Sequence, residues 1–327
     1  MIETRHRRLR PQSSRLRAGL AVLAVTLALA GCTEMPAAPA ARPAAPAPAA
    51  LPEPAVQPPS PSSAAIRAHY AAIAAQMQAQ GRLRTETRPG DAPFTTAQLV
   101  ENFVRIALYD EYQSSGGSFV ARESPARLRR WSAPVRMNIE FGASVPLAQR
   151  NADRIMLAST AARLGYVTGH PVSVSATNPN FTVLMLNEDE RRAIGPRLAA
   201  LVPGIDPAAV RAVTNLPDST YCVVFAFSQG ETGVYTRAIA VIRGEHPDIL
   251  RLSCFHEELA QGMGLANDSP AARPSIFNDD EEFALLTRHD ELLLRILYDP
   301  RLRPGMAEAE ARPIIATIAA AVMGGTS

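Results

Sequence analysis

From residue 64 onward the chain carries the hydrophobic periodicities of a folded domain. AAIRAHYAAIAAQMQAQ (64–80) sets Ile66, Tyr70, Ile73 and Met77 at helical spacing. Thr95 and Gln98 form a capping-box pair ahead of Leu99, Phe103 and Ile106 on one face, and Ser114 to Gly117 ends that helix. PVRMNIEF (134–141) alternates strictly, with Val135, Met137, Ile139 and Phe141 inward, as a half-buried strand does. Residues 146–164 read as helix, stopped at Gly165. HPVSVSA (170–176) and NFTVLMLN (180–187) read as two strands joined at Asn178-Pro179. Asn187 caps a helix running to about Leu201, and Asp206-Pro207 opens a short helical turn. CVVFAFS (222–228), the turn QGETG and VYTRAIAVIRG (234–244) form a hairpin. Its second strand feeds straight into a helix opened by Pro247 and Asp248 and stopped by Gly264. On that helix Leu252, Phe255, Leu259 and Met263 make an apolar stripe, with Glu257 and Gln261 one turn apart on the opposite face. The predicted fold is α+β: a mixed sheet, a central helix and a C-terminal helical part, preceded by a helical segment.

The residues before this domain read as an address. Residues 1–17 carry Arg5, Arg7, Arg8, Arg10, Arg15 and Arg17 against one acid, Glu3, and 18–30 are apolar. A basic stretch followed by a short apolar one is a signal peptide pattern, too short to span a bilayer comfortably. It ends in Leu29-Ala30-Gly31-Cys32, which resembles the lipobox of bacterial lipoproteins. That resemblance implies cleavage before Cys32 and acylation of its sulfur and new amine, because two or more acyl chains hold a membrane firmly where one does not. Thr33, where an aspartate would retain the protein at the inner membrane by the enterobacterial rule, implies the outer membrane, with the folded part facing the periplasm. Residues 33–63 alternate Pro and Ala, bury little apolar area and form no core. They read as a semi-rigid polyproline tether of about 3.1 Å per residue. The expected organisation is signal peptide 1–31, lipidated cysteine and linker 32–63, helical preface 64–123 and main domain 124–327.

Charge narrows the function classes. The chain has 33 Lys plus Arg against 31 Asp plus Glu, a net +2, so no nucleic-acid partner is indicated. All of those basic residues are arginine, which excludes Schiff-base and P-loop lysine chemistry. With Cys32 lipidated, Cys222 and Cys254 remain, and an even remainder in an oxidising compartment predicts a disulfide clamping the hairpin to the central helix. Two buried thiols are the alternative.

The central helix and its flank read Glu257-Glu258-x-x-Gln261-x-x-Gly264-x-x-Asn267-Asp268. This resembles, in register, the HExxHxxGxxH signature of the metzincin zinc peptidases. The resemblance implies that Glu258 holds the general-base position and Gly264 the helix-breaking one, while Glu257, Gln261 and Asn267 replace the three histidines. Ser275-Ile276-Phe277-Asn278 stands where a Met-turn would be, without the methionine, and Leu286 to Tyr298 resembles the closing helix. The same combination, EExxQxxGLxND, then IFND and a helix ending in LYDPRL, is similar to a proteobacterial lipoprotein family, domain of unknown function 2927, over roughly residues 125–310.

One carboxylate and two amide oxygens do not suit zinc, which takes imidazole or thiolate. They suit Ca²⁺ or Mg²⁺ only if further oxygens join, from Asp268, Asp279 or Asp280. Reading His256-Glu257 as the HE pair fails, because Ala260 then occupies the second histidine position; His256 is expected as a partly buried, satisfied residue. Whether His170, His246 or His289 reaches the cleft is left open. The acidic run 278–282 reads as a solvated loop capping a helix that begins near Phe283, with calcium binding as the sharper alternative. Arg127, Arg129 and Arg130 beside Trp131 are candidates for lipid head groups or cell-wall anions, or ordinary surface charge. The leading expectation is an envelope lipoprotein with no cofactor, a non-catalytic scaffold whose cleft binds a protein or peptide. Its rivals are a metal-dependent hydrolase using oxygen ligands and Glu258, and a structural lipoprotein with a filled cleft.

Overall fold

The computed structural model describes residues 56–324 apart from 116, 117 and 279. The signal peptide, Cys32 and most of the linker therefore lie outside the described residues, as does Asp279. Two helices come first, α1 (Pro61–Ala79) and α2 (Thr96–Ala107), followed by a hairpin, β1 (Tyr109–Ser115) and β2 (Ser118–Pro125). The sequence reading had residues up to Gly117 as the end of a helix; here α2 stops at Ala107 and the following residues pair as strands.

The sheet is built from β3 (Arg130–Trp131), β4 (Val135–Phe141), β5 (Val172–Val174), β6 (Phe181–Leu186), β7 (Cys222–Ser228) and β8 (Val234–Arg243). Its order is β5-β4-β6-β8-β7, with β3 on the same side of β8 as β6. Every pairing is parallel except β7 with β8. The two strands expected to join at Asn178-Pro179 are not neighbours, because β4 lies between β5 and β6. Asn178 turns the chain there with φ of 48°.

Alternation along the strands splits the core in two. Phe181, Val183 and Met185 of β6 face one layer, with α3 (Leu147–Thr168), α7 (Asp248–Gln261), α8 (Arg288–Leu297) and α9 (Glu308–Gly324). Leu184 and Leu186 face the other layer, covered by α5 (Gly195–Leu201) and α6 (Pro207–Thr214). The helix expected over 187–201 is two pieces, α4 (Glu188–Arg192) and α5, broken before Pro196, whose ring and missing N–H disfavour a helix interior. Leu99, Phe103 and Ile106 of α2 belong to the main core, whereas α1 docks through a small cluster around Tyr70, Ala74 and Leu250.

Candidate functional site

The central helix α7 is fed by β8 and enclosed by its neighbours. Cys254, Phe255, Glu258 and Leu259 are buried, and Leu252, Glu257 and Gln261 are half-buried. The expected single apolar stripe is thus part of a helix covered on most sides. Cys222 and Cys254 form a disulfide with 5.9 Å between their Cα atoms, tying edge strand β7 to α7. The carboxylates of Glu257 and Glu258 and the sulfur of Cys222 lie within 4.8 Å of one another.

Gly264 ends this segment at φ of +127°, and a Cβ there would sit 2.2 Å from the Arg129 carbonyl oxygen. Trp131 seals the same end by donating its indole N–H to the Gly262 carbonyl at 2.8 Å. The chain then turns back, and Glu257, Gln261 and Asn267 diverge. Gln261 donates its side-chain amide to Asp268 at 3.3 Å. Asn267, buried at 4% exposure, donates its side-chain amide to the Arg105 carbonyl and its main-chain N–H to the Ile106 carbonyl, both at 3.0 Å. Those carbonyls belong to the last turn of α2, where a helix has no internal donors left.

The Ser275–Asn278 turn is organised by Asp290, a residue the sequence reading passed over except as part of a closing helix. Its buried carboxylate accepts from Ser275 Oγ, from Ile276 N–H at 3.2 Å and from Thr287 N–H at 2.7 Å. Thr287 and Asp290 make a capping box, so α8 starts at Arg288, five residues beyond the start expected near Phe283. The signal was present as Thr287-x-x-Asp290.

The histidines go elsewhere. His256 Nδ1 accepts from Leu286 N–H at 3.1 Å, which leaves its proton on Nε2, and burial pushes its pKa down to about 4. His246 is wholly buried between Tyr70 and Tyr221, His289 pairs with Asn102, and His170 meets Ala133 and Tyr298. The acidic loop is an arginine lock: Glu282 accepts from Arg84 and Arg273, and Arg84 also lies over the Phe283 ring. Arg127, Arg129 and Arg130 are structural too. Arg129 pairs with Asp110, Arg127 donates to the Gly305 carbonyl, and Arg130 donates to those of Leu297, Asp299 and Leu302. Arg129 and Arg130 are half-buried in these contacts, and Arg127 is exposed.

Zinc does not fit this donor set. Among the described residues the one trio of metal-competent groups is Cys222, Glu257 and Glu258, and the Cys222 sulfur is bonded to Cys254. Two neighbouring carboxylates remain, with Gln261 turned to Asp268 and Asn267 to α2. Zinc chemistry needs imidazole or thiolate to hold the ion and acidify its water.

Residues 96–317 match the family described as "Protein of unknown function (DUF2927)". The chain belongs to this family. No curated protein and no solved structure matches the chain significantly. The DUF2927 region starts at α2, further toward the N-terminus than the 125–310 resemblance read from sequence, and includes the hairpin, the whole sheet, α7 and α8. Helix α1 lies before it. The Asn267–Arg105 and Asn267–Ile106 contacts are thus internal to the DUF2927 region.

Proposed function

We propose that the chain is an envelope lipoprotein whose DUF2927 domain is a zincin-like scaffold, binding a peptide or protein partner without metallopeptidase chemistry. The observation that carries this reading is the placement of Asn267. The residue at the third metal-ligand position holds α2 through both its side chain and its main chain, while Gln261 turns to Asp268. The metzincin resemblance is supported by the β7–β8 hairpin leading into α7 and by Gly264 ending that segment. The binding element is β7. It is the sheet's antiparallel edge strand, half-buried along its length, and it pairs with β8 on one side only among the described residues. An extended peptide adding to such an edge gains main-chain hydrogen bonds, and neighbouring side chains supply selectivity. Anchoring rests on the Leu29-Ala30-Gly31-Cys32 sequence.

The test is metal content and hydrolysis. The purified chain, supplied with Zn²⁺ or Ca²⁺, is expected to carry no stoichiometric metal by elemental analysis and to cleave no peptide library. Stoichiometric metal together with hydrolysis that Glu258→Gln abolishes overturns the reading.

A further inference from the structure

We propose that the exposed face made by α3 and β5 rests on the surface of a phospholipid bilayer carrying anionic head groups. Leu147, Ile155 and Tyr166 on α3 are 44, 70 and 83% exposed, and Val174 on β5 is 49% exposed. Ile155 and Tyr166 stand about three turns apart on one side of α3. The exposed positions between them are Ala158, Ser159 and Ala162, so that side of the helix carries no charge there. Val174 lies on the same side of the sheet as Val172, which packs into the core layer that α3 covers.

The charge balance fits the same occupant. Between Phe141 and Asn187 the only acid is Asp153, and it is fully buried against Arg251. Arg154 is exposed beside Ile155. The acids brought alongside by neighbouring helices, Asp248 and Glu291, are held by Arg251 and Arg163. A helix face with apolar residues, an aromatic ring and arginine, and without free acid, suits the boundary between head groups and acyl chains.

The tether leads to the same place. Gln57, at the start of the described chain, donates its N–H to the Ala143 carbonyl, just ahead of α3. The Pro/Ala segment running from Cys32 thus joins the domain beside this face. The consequence for the proposed binding strand follows from sheet order: β5 and β7 are opposite edges, roughly 19 Å apart at the usual strand spacing. A domain resting on α3 and β5 turns β7 away from the bilayer. This inference rests on the lipoprotein reading for delivery of the chain to the membrane.

The chain carrying Tyr166→Trp, purified from a lipoprotein-processing bacterium, is placed in vesicles of phosphatidylethanolamine and phosphatidylglycerol, with or without brominated acyl chains. Trp131, the one native tryptophan, is 1% exposed and supplies a constant background. The introduced indole is expected to shift its emission to the blue and to be quenched by bromine. Ile155→Trp is expected to behave alike, and Ala200→Trp, exposed on α5 across the sheet, to do neither. Emission from Tyr166→Trp and Ile155→Trp as unquenched as that from Ala200→Trp overturns the proposal and describes a domain held off by its tether. A blue shift that grows with protein concentration in the absence of lipid also overturns it, in favour of a second copy on this face. Intact mass of the same sample reads acylation of Cys32, so a missing anchor and a free face are told apart: mass decides the anchor, quenching decides the face.

Discussion

Asn267 and Arg105 are joined by a 3.0 Å hydrogen bond from the asparagine amide to the arginine's main-chain carbonyl. The bond fastens the segment after the central helix to the last turn of α2, and the Asn267 N–H bond to Ile106 doubles it. Asn267→Ala removes one of the two donors, with an expected stability loss of about 1–2 kcal/mol. Asn267→Asp sets an acceptor against a carbonyl and is expected to cost more. Urea unfolding of both variants measures this. Midpoints equal to the parent's for both would mean that Asn267 does not fasten α2.

The Cys222–Cys254 disulfide spans 32 residues of sequence and includes all of β7, all of β8 and the first half of α7. Closing a loop of that length removes denatured-state freedom worth about 3.5 kcal/mol. The double variant Cys222→Ala, Cys254→Ala is expected to lose about that much in denaturant unfolding. A loss well under 1 kcal/mol would show that the loop's freedom is already restricted in the unfolded chain.

Much of this arrangement was legible in the sequence, for identifiable reasons. The β7–β8 hairpin and the cysteine pair are written in local patterns of short range, whereas the helix expected to run to Gly264 ends at Gln261 with Gly262 as its cap. Strand order was not, because Asn178-Pro179 reads as a turn whether or not β4 inserts between the strands it connects. The β1–β2 hairpin was missed because Ser114 to Gly117 stops a helix and turns a hairpin equally well. At the site, the divergence of Glu257, Gln261 and Asn267 was not readable. The partner of Asn267 is an α2 carbonyl 162 residues away, and a carbonyl leaves no mark on the sequence. Asp290 was read only as part of the closing helix and not as the organiser of the Ser275–Asn278 turn, since its other contacts reach back across a loop.

His256 makes stability depend on pH. It is 7% exposed, and its folded pKa of about 4 lies below the ordinary value of 6.5 because burial disfavours the charged ring. Between those values the unfolded chain binds the proton and the folded chain does not. Stability from this residue is therefore complete above pH 6.5 and is lost as pH falls toward 4, by up to about 3 kcal/mol. His246, held down to about 3 by burial, acts in the same direction. Glu245 and Asp153, pushed up by burial, act in the opposite one: their contribution is present at low pH and is lost as pH rises through their folded pKa. His256→Asn keeps an acceptor for the Leu286 N–H without the titration. Urea midpoints between pH 7 and 4.5 are expected to fall less steeply for this variant than for the parent. Parallel profiles would show that the buried ring is not the group that titrates.

Gly264 and Gly81 separate two reasons for a glycine. Both have positive φ, +127° and +75°, which disfavours any side chain. They differ in surroundings: nothing lies within 4 Å of a Cβ added at Gly81, whereas at Gly264 it would meet the Arg129 carbonyl oxygen at 2.2 Å and Leu297 at 3.1 Å. Gly81→Ala is expected to cost only the conformational term, about 1–2 kcal/mol. Gly264→Ala must also push β3 off the end of α7, where Trp131 and Phe181 are packed, and overpacking adds about 1–3 kcal/mol. Denaturant unfolding of the two variants is expected to rank Gly264→Ala well below Gly81→Ala. Equal losses would mean that the helix stop is set by backbone conformation alone, and that the close approach of Arg129 relaxes without cost.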